Sequence, residues 1–292
     1  MANIQLSISS LLIMFTLIVF VPNLIHNYID IASAEPLTIK GEDIKELQNS
    51  TKSSFSIENK NVKYYDKTSG YLAYPIIENN TKNLMDKKLP GIVMIHEWWG
   101  LNENIKNMAN SLAKEGYVVL AVDLYNGQVT DSPDIAKTLM SKVRNNPSEA
   151  ISNLQSAVRY LASLENVNSS KIASLGWCFG GGQSLQLALN TEPDYPLAAT
   201  IIYYGNLVSD QESISKIKWP VLGIFGDQDQ SISVNDVKNF EKVLTSTGIP
   251  NEIYIYEGVG HAFANPSGDN YAPKETAHAW QKTLDFLNKY LR

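Results

Sequence analysis

A cysteine flanked by glycines is the feature of the sequence that most clearly could carry out chemistry. Residues 176–180 read G-x-C-x-G around Cys178, and two more glycines follow directly. The motif comes after a predicted strand and before a predicted helix, so it predicts a tight turn that presents a nucleophile, in which side chains at Gly176 and Gly180 would collide with neighbouring backbone. A cysteine there lies at a helix N-terminus, whose dipole favours the thiolate. The alternative is a buried structural cysteine in a glycine-rich turn.

An acid and a histidine follow Cys178 at positions that could complete a catalytic triad. The motif G-D-x-D at residues 226–229 comes after another predicted strand, and its spacing favours Asp229 as the acid that orients a histidine, with Asp227 forming the turn. His261 follows glycines on a loop before the last predicted helix. Both aspartates could instead be turn residues, and a loop histidine is usually a surface residue. The order Cys, Asp, His along the chain favours a nucleophile, an acid and a base.

A fourth segment, H-E-W-W-G at residues 96–100, ends an earlier predicted strand. It resembles the start of the zinc-binding motif H-E-x-x-H, but Gly100 takes the place of the second histidine, so we predict no metal site. The position instead favours an oxyanion hole, with the backbone N–H of Trp98 as one donor and that of Phe179 as the other. The side chains of Trp98 and Trp99 could also be simple core or pocket wall.

These motifs need a scaffold of alternating strands and helices, which the hydrophobic pattern predicts. The predicted strands are 91–95, 117–122, 171–175, 198–203, 221–225 and 252–256, and the predicted helices are 102–115, 132–143, 147–164, 180–190, 234–246 and 273–290. Residues 61–75 predict a hairpin around Ser69-Gly70. The alternation predicts an α/β fold with a mostly parallel sheet covered on both faces, in which functional residues gather at the carboxyl ends of strands.

Composition and charge exclude several classes of protein. The 292 residues are 44% hydrophobic, which is enough for a full core and excludes global disorder. The formal net charge is −6 and no cluster of Lys or Arg occurs, so we expect no nucleic-acid partner. Cys178 is the only cysteine, which excludes an internal disulfide and a C-x-x-C pair. Redox sensing by this thiol would need a partner that the chain lacks.

Residues 1–34 predict a signal peptide or an N-terminal membrane anchor. Residues 4–25 carry no charge and are long enough to span a bilayer, and Ala32-Ser33-Ala34 suits a signal peptidase. We therefore predict a secreted or extracytoplasmic protein, which contacts a membrane only through residues 4–25 if the signal is not cleaved. Residues 35–60 are polar and predict a linker ahead of a domain at 61–292.

Together, the motifs I-H-E-x-x-G, V-D-L-Y, G-x-C-x-G-G, G-D-x-D and G-x-G-H-A-F resemble the dienelactone hydrolase family (carboxymethylenebutenolidases) across residues 61–292. The resemblance implies an α/β-hydrolase fold and a lactone or ester hydrolase that works through a thioester and needs no cofactor. It implies these roles: Cys178 as nucleophile, Asp229 as acid, His261 as base, Glu97 as the group that contacts the resting thiol and helps regulate its ionisation, and the N–H groups of Trp98 and Phe179 as oxyanion donors. We also expect Tyr125 and Trp99 to contact the substrate.

Two places depart from the resemblance in a way that affects the substrate. Family members that act on dienelactone hold its carboxylate with two arginines, one after the D-L-Y motif and one after the histidine motif. Here Asn126-Gly127-Gln128 and Asn265 occupy those places, so an anionic lactone would lack its bidentate clamps. We expect a small-molecule ester or lactone as partner and a monomeric protein. An exported esterase or thioesterase for uncharged esters and a non-catalytic binding protein stay open as alternatives.

Overall fold

The computed structural model describes residues 55–76 and 88–292, and these contain eight strands and seven helices. The strands are β1 (Ile57–Tyr65), β2 (Thr68–Pro75), β3 (Leu89–Ile95), β4 (Val118–Val122), β5 (Val167–Trp177), β6 (Ala199–Tyr203), β7 (Val221–Gly226) and β8 (Asn251–Tyr256). The helices are α1 (Glu103–Lys114), α2 (Pro133–Arg144), α3 (Pro147–Ser163), α4 (Phe179–Leu189), α5 (Gln211–Ile214), α6 (Val234–Ser246) and α7 (Pro273–Leu291). The predicted alternation of strands and helices is confirmed.

The eight strands form one sheet in the order β1-β2-β4-β3-β5-β6-β7-β8. The pairs β1–β2 and β2–β4 are antiparallel, and all the other neighbours are parallel. Strands β3, β4, β6 and β7 are buried along their whole length, which explains their unbroken apolar sequences. Because β3, β5, β7 and β8 run in one direction, the loops that follow them open at the same edge of the sheet.

Alternate residues of the strands supply two apolar clusters, one on each face of the sheet. Ile92 and Val119 belong to the cluster that includes residues of α1 and α7. Val93 and Leu120, their neighbours in the chain, belong to the cluster that includes residues of α2, α3, α4 and α6. The sheet is therefore covered by helices on both faces, as an α/β-hydrolase fold requires.

The predicted hairpin forms, but its turn lies elsewhere than predicted. The turn follows β1 and contains Asp66 at a φ of 38°, whereas Ser69-Gly70 lies inside β2. A Cβ at Gly70 would lie only 2.7 Å from the carbonyl oxygen of Ala121 on β4. This glycine therefore permits a close approach between two strands, which is the other common reason for glycine in a strand.

The N-terminal predictions lie almost wholly outside the described residues. The signal peptide or anchor at 1–34 is not among them, so export and membrane attachment stay predictions. Strand β1 begins at Ile57, so the last residues of the predicted linker 35–60 pair in the sheet. Within residues 55–76 and 88–292, no helix is both long enough and apolar enough to cross a membrane.

Candidate active site

Cys178 lies at the turn between β5 and α4, where the glycine motif predicts it. Its backbone has a φ of 54° and a ψ of −117°, a strained conformation for a residue with a side chain and one that is typical of functional turns. A Cβ at Gly176 would collide with the backbone of Gly180, and a Cβ at Gly180 would collide with the carbonyl oxygens of Ile95 and His96. The two glycines thus let β3, β5 and α4 meet closely around the sulfur, as predicted.

His261 connects Cys178 to Asp229. Its Nε2 lies 3.1 Å from the Cys178 Sγ, and its Nδ1 lies 2.7 Å from the Asp229 Oδ2. The other carboxylate oxygen of Asp229 accepts hydrogen bonds from the backbone N–H groups of Ser231, at 2.7 Å, and Ile232, at 3.0 Å. These bonds fix a carboxylate whose side chain is fully buried. The structure therefore brings the three predicted residues into one Cys–His–Asp line.

Asp227, the other acid of the G-D-x-D motif, makes a different contact. Its Oδ1 accepts a hydrogen bond of 2.7 Å from the backbone N–H of Gly258. This bond joins the loop after β7 to the loop after β8, which is the turn-forming role that the sequence predicts.

The charges of the Cys–His–Asp line support one another. Burial lowers the pKa of His261, but the hydrogen bonds with Asp229 and Cys178 outweigh this effect and raise the pKa to about 10. Burial raises the pKa of Asp229, but the hydrogen bond and charge of His261, together with the two backbone N–H groups, hold it below its ordinary value. An imidazolium beside the sulfur is therefore favoured across the neutral pH range.

Glu97 is buried beside this line, and its side chain is held by Asn265. The Asn265 Nδ2 donates a hydrogen bond of 2.6 Å to the Glu97 Oε2. Burial raises the pKa of Glu97 to about 7, although the charge of His261 and the hydrogen bond from Asn265 lower it. The resemblance implies a contact between Glu97 and the thiol, but among the described residues the sulfur has His261 as its hydrogen-bond partner. Asn265, where the resemblance leads us to expect an arginine, contacts Glu97 instead.

The two predicted oxyanion donors can still donate a hydrogen bond to a ligand. The backbone N–H groups of Trp98 and Phe179 donate no hydrogen bond to any described residue. Phe179 is also the first residue of α4, so its N–H has no acceptor within the helix. Neither N–H group therefore has a protein acceptor in the described part of the chain, which an oxyanion donor needs before substrate binds.

His96 fixes the peptide that carries the Trp98 N–H. The buried imidazole accepts a hydrogen bond of 3.2 Å from the Leu124 N–H at its Nε2, so its Nδ1 carries the proton and donates to the Glu97 carbonyl oxygen at 2.5 Å. This carbonyl and the Trp98 N–H belong to one planar trans peptide and point in opposite directions. Burial lowers the pKa of His96, which keeps the ring neutral. Sequence reasoning assigned no role to His96, although its place next to Glu97 was a signal.

A cavity of about 930 Å³ lies over the sulfur. Six of the predicted site residues line it: Glu97, Trp98, Trp99, Cys178, Phe179 and His261. Tyr125, which we expect to contact the substrate, is not among the residues that line it. The Tyr125 side chain is 3% exposed and its ring centroid lies 4.7 Å from that of His96 and 5.7 Å from that of Phe179. Tyr125 therefore packs behind the oxyanion loops.

Part of the cavity lining was missed by sequence reasoning. Five apolar residues from α2, α3 and the loop after β6 line the cavity: Met140, Val143, Ile151, Leu207 and Val208. They share no local motif with the nucleophile. The signal for Met140, Val143 and Ile151 was the apolar periodicity of α2 and α3, which also describes a helix that packs on a core. Leu207 and Val208 lie in a loop and had no such signal.

Similar proteins support the same assignment as the geometry. A model of the dienelactone hydrolase family matches residues 78–291. A protein of Aquifex aeolicus (strain VF5), assigned as a carboxymethylenebutenolidase, is 30% identical over 210 residues, which are 70% of this chain and 89% of the relative. A protein of Saccharolobus solfataricus with the same assignment is 32% identical over 238 residues, with coverages of 68% and 88%. A crystal structure of a Klebsiella pneumoniae protein assigned as a dienelactone hydrolase is 25% identical, has a TM-score of 0.69 and covers 80% of this chain and 100% of that one.

The family match spans every residue of the candidate site, from Glu97 to Asn265. The match begins at residue 78, after the hairpin of β1 and β2, whereas the motifs led us to expect the resemblance from residue 61. The chain belongs to the dienelactone hydrolase family and is a hydrolase that acts on ester bonds.

Proposed function

We propose that the chain hydrolyses an ester or lactone through a thioester formed on Cys178. The observation that carries this proposal is the position of His261, whose two nitrogens lie 3.1 Å from the sulfur and 2.7 Å from the Asp229 carboxylate. A nucleophile within hydrogen-bond reach of a base, itself oriented by an acid, is the arrangement that covalent catalysis requires. The strained backbone at Cys178 supports the same role.

The reaction uses the site in two halves. In the first half, the Cys178 sulfur attacks the carbonyl carbon, and the N–H groups of Trp98 and Phe179 bind the oxyanion. The leaving alcohol takes a proton from His261 as the carbon–oxygen bond breaks, which leaves an acyl group on the sulfur. In the second half, His261 removes a proton from water, and the resulting hydroxide attacks the thioester carbon. The carbon–sulfur bond then breaks, the acid leaves, and the Cys178 thiolate re-forms beside protonated His261.

Glu97 adds a second titrating group next to this cycle. Its buried carboxyl has a pKa near neutrality, about 7, so it can hold or release a proton at working pH. Because it lies close enough to His261 for their charges to interact, its ionisation changes how readily the imidazole gives up its proton. We propose this as its role, in place of the direct contact with the thiol that the resemblance implies.

The proposal is tested by turnover of the full chain and of Cys178→Ala on an aryl acetate, a neutral lactone and dienelactone. We expect wild type to hydrolyse at least one of them and Cys178→Ala to lose about ten-thousandfold or more, because the members of such a line act as a unit. Since Cys178 is the only cysteine, labelling by iodoacetamide in parallel with loss of activity gives an internal control. Equal rates for wild type and Cys178→Ala would contradict the proposal.

Among the possible substrates, uncharged esters are favoured by what replaces the two expected arginines. Asn265 is bound to Glu97. Asn126 accepts a hydrogen bond of 2.8 Å from the Thr68 hydroxyl and is not part of the lining of the cavity. Neither place supplies a cation for a carboxylate. A binding protein without catalysis would leave the complete Cys–His–Asp line without a purpose.

A further inference from the structure

One side of the cavity is an apolar wall made of Met140, Val143, Ile151, Leu207 and Val208. All five side chains are half-buried. Four of them, all except Ile151, pack against the large apolar cluster on that face of the sheet. The apolar wall is therefore backed by core, and the part of it that faces the cavity is apolar surface left in contact with water.

Another part of the cavity lining is polar. It is formed by residues of the loops after β7 and β8: Ser231, Asn265, Ser267, Asp269 and Asn270. The Cys178 sulfur and the His261 imidazole line the same cavity as both parts. A substrate whose carbonyl lies at the sulfur can thus place one substituent on an apolar surface and keep another near water.

Charge gives the cavity little means to select a carboxylate. Among the described residues that line it, Arg144 is the only Lys or Arg, and its side chain is exposed at the end of α2. Asp269, of opposite charge and also exposed, lines the same cavity. A single solvated guanidinium lacks the paired, bidentate geometry that gives carboxylate recognition its strength.

The size of the cavity indicates a substrate that is larger than the ester of a small acyl group. A volume of about 930 Å³ lies near the upper end of the range for small-molecule sites. An acetyl group at Cys178 would leave the apolar wall exposed to water, whereas a longer chain or a ring system would cover it. Covering apolar surface is favourable in proportion to the area removed from water.

From these observations we infer that the apolar wall is a subsite for an extended apolar substituent of an uncharged ester. The inference rests on the proposed function, because it takes Cys178 as the point of attack. It names the substrate class as esters with a medium-length alkyl chain or a comparable ring system on one side of the scissile bond. The polar part of the lining is left to the smaller or more polar substituent.

Two series of esters test this inference with the full chain. In the first, p-nitrophenyl esters carry linear acyl groups of two to ten carbons; in the second, acetates carry linear alcohols of the same lengths. We expect kcat/KM to rise about two- to fourfold per methylene in one series until the apolar wall is covered. The p-nitrophenyl ester of succinic acid, with a free carboxylate, is expected to be slower than the butyrate of equal length.

A variant of the apolar wall and a matched control show where the preference arises. Met140→Gln keeps the length of the side chain but places an amide on the wall. We expect it to lower the ratio of kcat/KM between the eight-carbon and two-carbon substrates about tenfold. Ile135→Asn is the control, because Ile135 lies on the same helix but is 53% exposed and is not part of the cavity lining. It should leave that ratio unchanged.

The outcomes separate the subsite from the proposed function. Rates that stay flat with chain length in both series, or a faster reaction with the succinate ester than with the butyrate, would overturn the subsite while Cys178-dependent hydrolysis stands. A ratio that falls equally in Met140→Gln and Ile135→Asn would also overturn it. Hydrolysis that persists in Cys178→Ala would instead overturn the proposed function.

Discussion

The Cys–His–Asp line and the apolar wall face the same cavity but are constructed differently. In the line, each side chain is fixed by a short contact, and a strained backbone and two glycines set the position of the sulfur. The wall consists of half-buried side chains from α2, α3 and the loop after β6, held by packing alone. The two regions are therefore held in different ways: hydrogen bonds and backbone geometry fix the positions in the line, whereas apolar packing supports the wall.

After Cys178 itself, the largest effect on kcat is expected for Asp229, the acid of the Cys–His–Asp line. We expect Asp229→Asn to lower kcat by about a thousandfold to ten-thousandfold, because the amide cannot hold the imidazole in the required tautomer and charge state. Asp227→Asn is the matched control, two residues away on the same loop. Its amide oxygen can still accept the turn hydrogen bond from the Gly258 N–H, so kcat should stay within about threefold and stability should change by less than about 1 kcal/mol. A loss in Asp227→Asn as large as that in Asp229→Asn would remove the distinction between the two acids.

A smaller effect is expected for His96, whose Nδ1 binds the Glu97–Trp98 peptide rather than a side chain of the Cys–His–Asp line. His96→Phe removes both of its hydrogen bonds, so the Trp98 N–H loses its fixed direction. We expect kcat to fall about tenfold to a hundredfold with little change in KM, which is less than the loss of a whole oxyanion donor. His96→Gln can donate and accept, and it should recover part of kcat.

Melting curves decide whether His96 acts on catalysis or merely on stability. If His96→Phe and His96→Gln melt at similar temperatures but differ in kcat, the imidazole positions the oxyanion donor. Equal kcat in the two variants, or a rise in KM that accounts for the whole loss, would contradict that role.

The smallest effect that we expect is a change of stability with pH, caused by the titration of His261. The pKa of His261 is raised from 6.5 in its ordinary state to about 10 in the fold. The stabilisation that follows is fully present below pH 6.5 and is lost as the pH rises through about 10, because the unfolded chain releases this proton first. Wild type should therefore lose several degrees of melting temperature between pH 7 and 10. His261→Asn should lose less over the same interval, and an identical decline would contradict the raised pKa.

Much of the Cys–His–Asp line could be predicted from the sequence because its residues lie in short motifs that follow strands. Gly176 and Gly180 report a close backbone approach, and the ends of parallel strands meet at one edge of the sheet. Cys178, Asp229 and His261 were therefore predicted to meet before any distance was known. The hairpin turn was misplaced because a glycine in a strand can signal close pairing as well as a turn, as Gly70 does.

The rest of the site depends on contacts between residues far apart in sequence. Asn265 and Glu97 are separated by 168 positions, so no local pattern could show that the asparagine binds the carboxylate. Tyr125 follows a strand that ends near the site, but its ring packs behind Phe179. Met140, Val143 and Ile151 in the apolar wall follow the same helical periodicity as ordinary core residues. Only the folded chain shows which side of a helix meets the cavity.

The most direct test of the thioester mechanism is the mass of the intact protein during turnover of a slowly deacylating ester. The thioester mechanism predicts that the full chain gains the mass of one acyl group, that the group maps to Cys178, and that it disappears at the rate of hydrolysis. Cys178→Ala should gain nothing. Hydrolysis without an acyl group on Cys178, or an acyl group that persists on another residue while product forms, would contradict a mechanism that passes through this cysteine.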